Sequence, residues 1–513
     1  MVARTEQDWL DSVRALVLRG DLPSAQATLT QALAEHPVSV ELRRAQAGIF
    51  QQTGRTTEAE THMRELLARD AGDTATAFAL ARLLKDRGRM VAAATAARAC
   101  FNDERNRRNA ELAIDMVELL DDCGRKRDAA AVAEAALTTN PDDPRLHAYA
   151  GMLAIQLGDF ELARKRYSYV LEHELRALEW HVPIGLASTL RYRDASHPDF
   201  TLFRNGLQRN DLSDLARAEL HFSLGKAHDD VGAYAEAAQH YGQGNALRKR
   251  HSSWSRKAWR RAVESRLATR PLTVTAEPTT GFTPVFIVGM LRSGTTLLSQ
   301  VLARYPHTCN RGELAVLARL AQQLLLEGAP DRTTLQHAAS EYARLSRQDD
   351  APDARWFIDK QPLNLRYVDL ALALFPDARI IHCRRNPRDN ALSLWAQCFI
   401  ESVHDYAYDF DDIALVMRDG ERMMARWMRL YPNSIRAVRY EDLIASPSPV
   451  VAELARWIGM PPSAVSSSAA TQSSDPISTA SLWQARQPIH PRSVDRWKHY
   501  APYIPELLKL PER

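Results

Sequence analysis

A short pattern recurs five times in the first 170 residues and constrains the fold of the chain more than any other feature. Each copy has a glycine, an alanine five residues later and a small or apolar residue twelve residues later. A period of this length predicts pairs of antiparallel helices, because glycine ends one helix in a left-handed turn and alanine lets the next helix pack closely. The glycines are Gly20, Gly54, Gly88, Gly124 and Gly158, spaced by 34, 34, 36 and 34 residues. The alanines are Ala25, Ala59, Ala93, Ala129 and Ala163.

This pattern resembles the tetratricopeptide repeat, and it continues in a degenerate sixth copy at Gly232 and Ala237. The 74 residues between Gly158 and Gly232 fit the pattern poorly, so the repeat register between residues 170 and 230 stays open. The resemblance implies a helical solenoid with a concave groove. The sequence leaves two roles open for that groove: binding of a protein or peptide, and homodimerisation.

Composition limits the other classes to which the chain could belong. A hydrophobic content of 45% with 25% charged residues is typical of a folded globular protein, and 513 residues allow about three domains. The formal net charge of +3 is too small to favour nucleic acid or anionic lipid as a partner. The five cysteines lack the spacing of a zinc site, and no signal-peptide core or membrane span is present in the sequence. We expect a cytoplasmic protein with reduced thiols.

A basic stretch, residues 248–261, follows the repeats and contains Trp254 and Trp259. It could contact nucleic acid, but the nearly neutral charge of the chain favours a connecting helix with two packed tryptophans. The predicted domains are therefore a repeat domain over residues 1–247, a connecting helix and linker over 248–282, and a second domain over 283–513.

The second domain begins with a strand, a glycine-rich loop and a helix. The apolar run PVFIV, residues 284–288, predicts a buried parallel strand, and GMLRSGTT follows it. Backbone N–H groups of Ser293, Gly294, Thr295 and Thr296 then lie where a helix N-terminus binds an anion. Thr295 stands where a nucleotide triphosphatase has lysine, which argues against hydrolysis of ATP or GTP and against a nucleotide kinase. Arg292 offers a guanidinium to a phosphate or sulfate instead.

A second strand and loop repeat this arrangement. ARIIHC is followed by RRNPRDNALSLW, in which Pro387 is well placed to open a helix and Arg385 and Ser393 lie eight residues apart. Both side chains would reach one pocket at the carboxyl edge of the sheet, where a second phosphate could bind. The alternative is a surface ion pair between Arg385 and Asp389.

Together the two loops resemble the phosphate-binding segments of the sulfotransferase family. The resemblance covers about residues 284–508 and is nearest to tetratricopeptide-containing bacterial sulfotransferases, with tyrosylprotein sulfotransferases more distant. It implies the donor 3'-phosphoadenosine 5'-phosphosulfate (PAPS), the product 3'-phosphoadenosine 5'-phosphate (PAP) and no metal. It also implies that the loop over Ser293–Thr296 holds the 5'-phosphate, whereas Arg385 and Ser393 hold the 3'-phosphate.

The resemblance extends to candidate catalytic residues. It implies that Glu313, in RGEL, is the catalytic base, and that Lys360, in FIDKQPLN, and Arg292 stabilise charge on the transferred group. Plainer roles remain open, because Glu313 could be a solvated cap and Lys360 could pair with Asp359. A weaker match concerns segments that close over the adenine and the 3'-phosphate in the family. The residues matched to these segments are Tyr440, Thr479, Ser481, Arg496 and Trp497. Arg496 replaces a lysine of the tyrosylprotein pattern. We expect His307 and His382 to be structural.

The expected fold class is α + α/β, with a tetratricopeptide solenoid followed by a three-layer, P-loop-like α/β domain. Strands near 284–288, 356–359, 379–383 and 435–439 predict its parallel sheet. The expected function is sulfuryl transfer from PAPS to an acceptor hydroxyl, possible acceptors being protein tyrosine, saccharides and small hydroxylated molecules, with a polypeptide slightly favoured by the groove. The alternative is a tetratricopeptide scaffold whose transferase domain binds nucleotide but is catalytically silent.

Overall fold

The computed structural model describes residues 4–324, 330–461 and 491–512. The chain divides into two compact units. Unit 1 comprises Met1–Tyr149 with Gln348–Asp350, and unit 2 comprises Ala150–Arg347 with Ala351–Arg513. Helices that precede residue 283 therefore belong to the same compact unit as the sheet, whereas the domain boundaries at 247 and 283 stay a prediction. No helix in the described ranges combines the length and the apolar character needed to cross a membrane.

Unit 1 consists of helices that pack as successive antiparallel pairs. The first four repeat alanines lie inside these pairs and are fully buried, as the close approach of two helices requires. The helices are α1 (Glu6–Leu18), α2 (Leu22–Glu35), α3 (Val40–Gln52), α4 (Thr56–Arg69), α5 (Thr74–Asp86), α6 (Met90–Phe101), α7 (Glu104–Arg107), α8 (Ala110–Asp122) and α9 (Lys126–Thr139), with α10 (Pro144–Leu157) belonging in part to each unit.

The repeat glycines end the first helix of each pair as predicted. Gly20 has a φ of +77° and donates to the carbonyl of Val17 at 2.9 Å, while Asp21 donates to the carbonyl of Leu16 at 3.0 Å. These two bonds form a Schellman motif, which satisfies carbonyls that the helix end leaves without partners. The same left-handed turn occurs at Gly54, Gly88, Gly124, Gly158 and Gly232. The repeat prediction, with its sixth copy, is confirmed.

Unit 2 begins with further helices. Between residues 174 and 208 they are short, which explains why the repeat pattern fits poorly there. In the sixth copy the two helices approach so closely that a Cβ atom on Gly225 would lie 2.6 Å from the Tyr241 ring. The helices are α11 (Phe160–His173), α12 (Val182–Ala187), α13 (Pro198–Gln208), α14 (Asp214–Asp230), α15 (Tyr234–Arg250) and α16 (Arg256–Ala268), with a 3-10 turn at Ala177–Glu179.

The basic stretch forms the end of α15 and the start of α16. Trp259 is buried, and its indole N–H donates to Asp419 at 3.0 Å. Trp254 is half-buried, and Arg256 forms an ion pair with Asp412. These contacts agree with a packed connecting helix.

A five-stranded parallel sheet lies at the centre of unit 2. Its order is β2-β3-β1-β4-β5. The strands are β1 (Thr283–Gly289), β2 (Thr308–Asn310), β3 (Trp356–Asp359), β4 (Arg379–Arg384) and β5 (Ile435–Arg439). Four of them confirm the predicted strands. The edge strand β2 was missed, because three half-buried residues leave no apolar run in the sequence.

Helices cover both faces of the sheet. Along β1, Phe286 and Val288 pack into one apolar cluster, while Val285 and Ile287 pack into another on the opposite face. This alternation confirms the three-layer α/β prediction. The helices are α17 (Thr295–Leu302), α18 (Val316–Leu324), α19 (Arg332–Arg347), α20 (Val368–Leu374), α21 (Pro387–Trp395), α22 (Phe410–Leu430), α23 (Tyr440–Ala445), α24 (Pro447–Ile458) and α25 (Trp497–Tyr500), with 3-10 turns at Pro362–Tyr367, Ser402–Tyr408, Pro491–Ser493 and Pro505–Lys509.

Candidate anion-binding and catalytic site

The loop after β1 fits its surroundings only because it contains glycine at two positions. A Cβ atom on Gly289 would lie 2.3 Å from the carbonyl oxygen of Cys383, and one on Gly294 would lie 2.4 Å from the Tyr440 ring. Gly294, with a φ of +96°, is the N-cap residue of α17. The loop is therefore held between the ends of two other strands, with the first N–H groups of α17 at the carboxyl edge of the sheet.

Arg292 lies in this loop in a left-handed conformation, with a φ of +67° that non-glycine residues rarely adopt. Two contacts from the second loop and its helix hold the backbone there. Arg385 donates to the carbonyl of Arg292 at 2.8 Å, and the Asn390 amide donates to the carbonyl of Leu291 at 2.8 Å. The Nε of Arg292 also donates to the Ser393 hydroxyl at 3.1 Å. The structure thus brings Arg292, Arg385 and Ser393 together.

Arg385 has bonds that position it and one donor without a partner. Its guanidinium donates to the carbonyls of Arg292 and Ser493, the latter at 2.6 Å, and lies over the Tyr440 ring at 4.8 Å. Its buried Nε has no hydrogen-bond partner among the described residues. Asp389 does not form the alternative ion pair in the part of the chain that is described; it accepts instead from the backbone N–H groups of Asp495 and Trp497.

The electrostatics of this pocket favour an anion. Burial, together with the neighbouring charges of Arg385 and Arg496, lowers the pKa of Arg292 to about 10. Burial also lowers the pKa of Arg385, and Arg496 adds to that effect. Buried cations whose pKa values are lowered by neighbouring positive charges gain from a multiply charged anion. This charge and the Nε of Arg385, which has no partner within the described ranges, fit a phosphate group.

The structure describes only some of the residues that were matched more weakly to the donor site. Tyr440 packs against Gly294 and Arg385. Arg496 forms an ion pair with Asp229 at 2.7 Å, so part of its charge is already compensated. Ser481 and Thr479 lie outside the described residues.

Lys360 and Glu313 form an ion pair beside this pocket. Lys360 directly follows β3, is 2% exposed and donates through its ammonium group to the Glu313 carboxylate. Its backbone N–H donates to the Gly312 carbonyl at 2.7 Å. Burial lowers the pKa of Lys360, and the charge of Glu313 opposes that effect. Since β3, β1 and β4 are neighbours, the pair, the Arg292 loop and Arg385 follow three adjacent strand ends.

Asp359 is not the ionic partner of Lys360. Its carboxylate accepts from the Tyr342 hydroxyl at 2.8 Å and from the Asn364 amide at 3.2 Å. The N–H of Leu314, next to Glu313, donates to the other oxygen at 3.4 Å. Burial raises the pKa of Asp359 to about 7. This carboxyl group links the Glu313 loop to β3.

Comparison with known proteins agrees with both halves of this description. Residues 284–464 match the sulfotransferase family model, and residues 10–74 and 114–177 match the tetratricopeptide-repeat model. The chain carries tetratricopeptide repeats and a sulfotransferase-family domain.

One related protein matches only part of this chain. An uncharacterized protein from Aquifex aeolicus (strain VF5) is 30% identical over an alignment of 247 residues, and the match covers 44% of this chain. The match covers 32% of that protein, so this chain spans about a third of its length.

Three of the solved structures that are similar to this chain share little sequence identity with it. A tetratricopeptide repeat protein from Parabacteroides merdae ATCC 43184 is 14% identical, with a TM-score of 0.29, over 50% of this chain and 96% of that one. PilF of Pseudomonas aeruginosa is 19% identical, with a TM-score of 0.27, over 40% and 93%. MamA is 17% identical, with a TM-score of 0.27, over 34% and 94%. The tetratricopeptide repeats and the sulfotransferase-family domain are assigned from the family models.

Sequence reasoning missed the supporting roles of three residues near the sulfotransferase site. Asn390 supports the Arg292 loop, Asp359 anchors the Glu313 loop, and Asp229 pairs with Arg496. Asn390 lies within a motif already singled out and could have been found there. Asp229 gave no signal, because a single carboxylate in a repeat helix is usually solvated.

The remaining titratable candidates have structural contacts. His382 is buried on β4, which lowers its pKa to about 3. His307 has a φ of +58° and lies within 3.1 Å of the Asp353 carbonyl. Within the described ranges, no group of three or more His, Cys, Asp or Glu side chains is placed to hold a metal ion.

Proposed function

We propose that the sulfotransferase domain transfers a sulfuryl group from PAPS to an acceptor hydroxyl. One observation carries this proposal: two cationic loops meet at the ends of β1 and β4, and the ion pair between buried Lys360 and exposed Glu313 follows the adjacent strand β3. Ligands of open parallel sheets bind at this edge. The pocket therefore combines an anion site with a base and a cation.

The donor site is assigned to the two loops. The N–H groups from Ser293 to Thr296 and the Arg292 guanidinium would hold the 5'-phosphosulfate. Arg385, whose Nε lacks a partner among the described residues, and Ser393 would hold the 3'-phosphate. When bound, the nucleotide supplies the sulfuryl group.

Glu313 and Lys360 carry the proposed chemistry. The Glu313 carboxylate accepts the proton of the acceptor hydroxyl, which makes that oxygen nucleophilic. The Lys360 ammonium stabilises negative charge that develops on the oxygen of the departing phosphate. Because Lys360 is buried, its charge acts with little screening by water. The proposed reaction uses these cations and no metal.

The acceptor and the partners are also proposals. A polypeptide acceptor is favoured slightly, because tetratricopeptide repeats commonly offer a groove for a protein or peptide. Homodimerisation through the repeats is the other role for that surface. We place the protein in the cytoplasm.

Calorimetry with PAP tests the donor site. We expect micromolar binding by the wild-type protein and its loss in Arg385→Ala, because that change removes a guanidinium from the phosphate pocket. The control is Arg384→Ala, since Arg384 is exposed and pairs with Glu421 at 3.2 Å outside the pocket. Absence of PAP binding by the intact folded protein would overturn the proposal.

The repeats match a family model of their own, and this favours a second candidate function. In that alternative the chain is a scaffold whose transferase domain binds nucleotide without turnover. It predicts PAP binding with no transfer of a sulfuryl group under any acceptor condition.

A further inference from the structure

A carboxylate of the helical region contacts the C-terminal segment of the sulfotransferase domain. Asp229 lies in the last turn of α14. One of its oxygens accepts from Arg496 at 2.7 Å, and the other accepts from the Tyr500 hydroxyl at 2.5 Å. Both partners belong to residues 491–500, here called the C-terminal segment. Asp229 therefore fixes two points of this segment.

The C-terminal segment is also attached to the donor pocket. Asp389 accepts from the N–H groups of Asp495 at 2.7 Å and Trp497 at 2.9 Å. Arg385 donates to the carbonyl of Ser493 at 2.6 Å. The segment thus connects Asp229 directly to a residue proposed to hold phosphate.

The charge of Arg496 reaches the same pocket. Arg496 follows Ser493, whose carbonyl accepts from Arg385, by three residues, and its charge contributes to the lowered pKa of both Arg292 and Arg385. Asp229 holds the pKa of Arg496 above its ordinary value despite burial. The ion pair with Asp229 is therefore the contact that fixes the position of this guanidinium.

A second contact joins the same helix pair to the pocket. Asn245 of α15 donates to the carbonyl of Trp395 at 2.8 Å, and Trp395 is the last residue of α21, which carries Ser393. The α14–α15 pair therefore touches both the C-terminal segment and the helix of a proposed phosphate ligand.

We propose that Asp229 is a positioning residue of the donor site, which orients Arg496 and the C-terminal segment toward the 3'-phosphate of the nucleotide. This inference rests on the proposed function, because that function supplies the ligand. Asp229 itself touches no substrate; it acts through Arg496.

The test compares PAP with adenosine 5'-phosphate, which lacks the 3'-phosphate. We expect Asp229→Ala to weaken PAP binding about tenfold, as for loss of a charge-assisted hydrogen bond, while adenosine 5'-phosphate binds as to the wild type. Arg496→Ala should show the same selective loss, and the double variant should lose little more. A defect of folding alone would weaken both nucleotides equally.

Two further variants control the test. Asp214→Ala removes a carboxylate from the first turn of the same helix, where it pairs with Arg250 at 3.5 Å, and should bind PAP normally. Asp229→Asn, which keeps the size of the side chain, replaces Asp229→Ala if that variant unfolds at a lower temperature than the wild type. It should also lose the preference for PAP over adenosine 5'-phosphate.

The outcomes separate the two proposals. If the wild-type protein binds PAP and the folded Asp229 variants keep its preference over adenosine 5'-phosphate, only the positioning role is overturned. If the folded wild-type protein does not bind PAP, the proposed function fails and the positioning role fails with it.

Discussion

Lys360 forms an ion pair with Glu313 and is also the cation that we propose stabilises the departing phosphate. The sequence resemblance predicted Lys360 and Glu313 separately, and the structure places them in one ion pair. A pair 47 residues apart has no local sequence signal, because contact depends on β3 leading into the pocket. The pair keeps a carboxylate beside a buried cation.

The activity should depend on protonation of Lys360. Burial lowers its pKa, so the ammonium loses its proton at a lower pH than an exposed lysine does. Since the cation is the proposed active form, initial rates of transfer should fall as pH rises through this lowered pKa. In Lys360→Arg the cation persists, and the alkaline fall that depends on residue 360 should disappear. An unchanged alkaline profile in an active Lys360→Arg variant would contradict this role.

At the scale of elements, local patterns predicted the structure wherever they were strong. The repeat glycines and the apolar strand runs were sufficient for the helix pairs and four strands. Pro387 opens α21 as expected, since its fixed φ suits a first helical position. The short strand β2 and the contact between Asp229 and Arg496 were not predictable, because each depends on tertiary packing rather than on local pattern.

The helix turns of the repeats can be tested with two glycines of one helix pair. Gly54 has a φ of +77°, and Gly54→Ala should destabilise the protein by about 1 kcal/mol, because alanine is strained in that conformation. Gly48 lies inside α3 with open space around it, so Gly48→Ala should stabilise by about 0.5–1 kcal/mol. Urea unfolding of both variants measures this. A change of the same sign in the free energy of unfolding of both variants would contradict the left-handed turn at Gly54.

At the scale of the whole molecule, the sulfotransferase sheet and the last repeat helices form one compact unit. Arg248 of α15 donates to the carbonyl of Phe399 at 2.7 Å, in the segment that follows α21. Sequence motifs were sufficient to propose the donor site. They could not show that helices before residue 283 support it, because repeat residues carry no mark of what they contact.

The central claim is tested most directly by following a sulfuryl group. Sulfur-labelled PAPS is incubated with host lysate and either the wild-type protein, Glu313→Gln or the control Glu341→Gln, whose carboxylate pairs with Arg319 on the surface. The account predicts a labelled product with the wild type and control, and a rate about a hundredfold lower with Glu313→Gln, which should still bind PAP. Equal labelling by Glu313→Gln, or no labelled product from a wild-type protein that binds PAP, would contradict it.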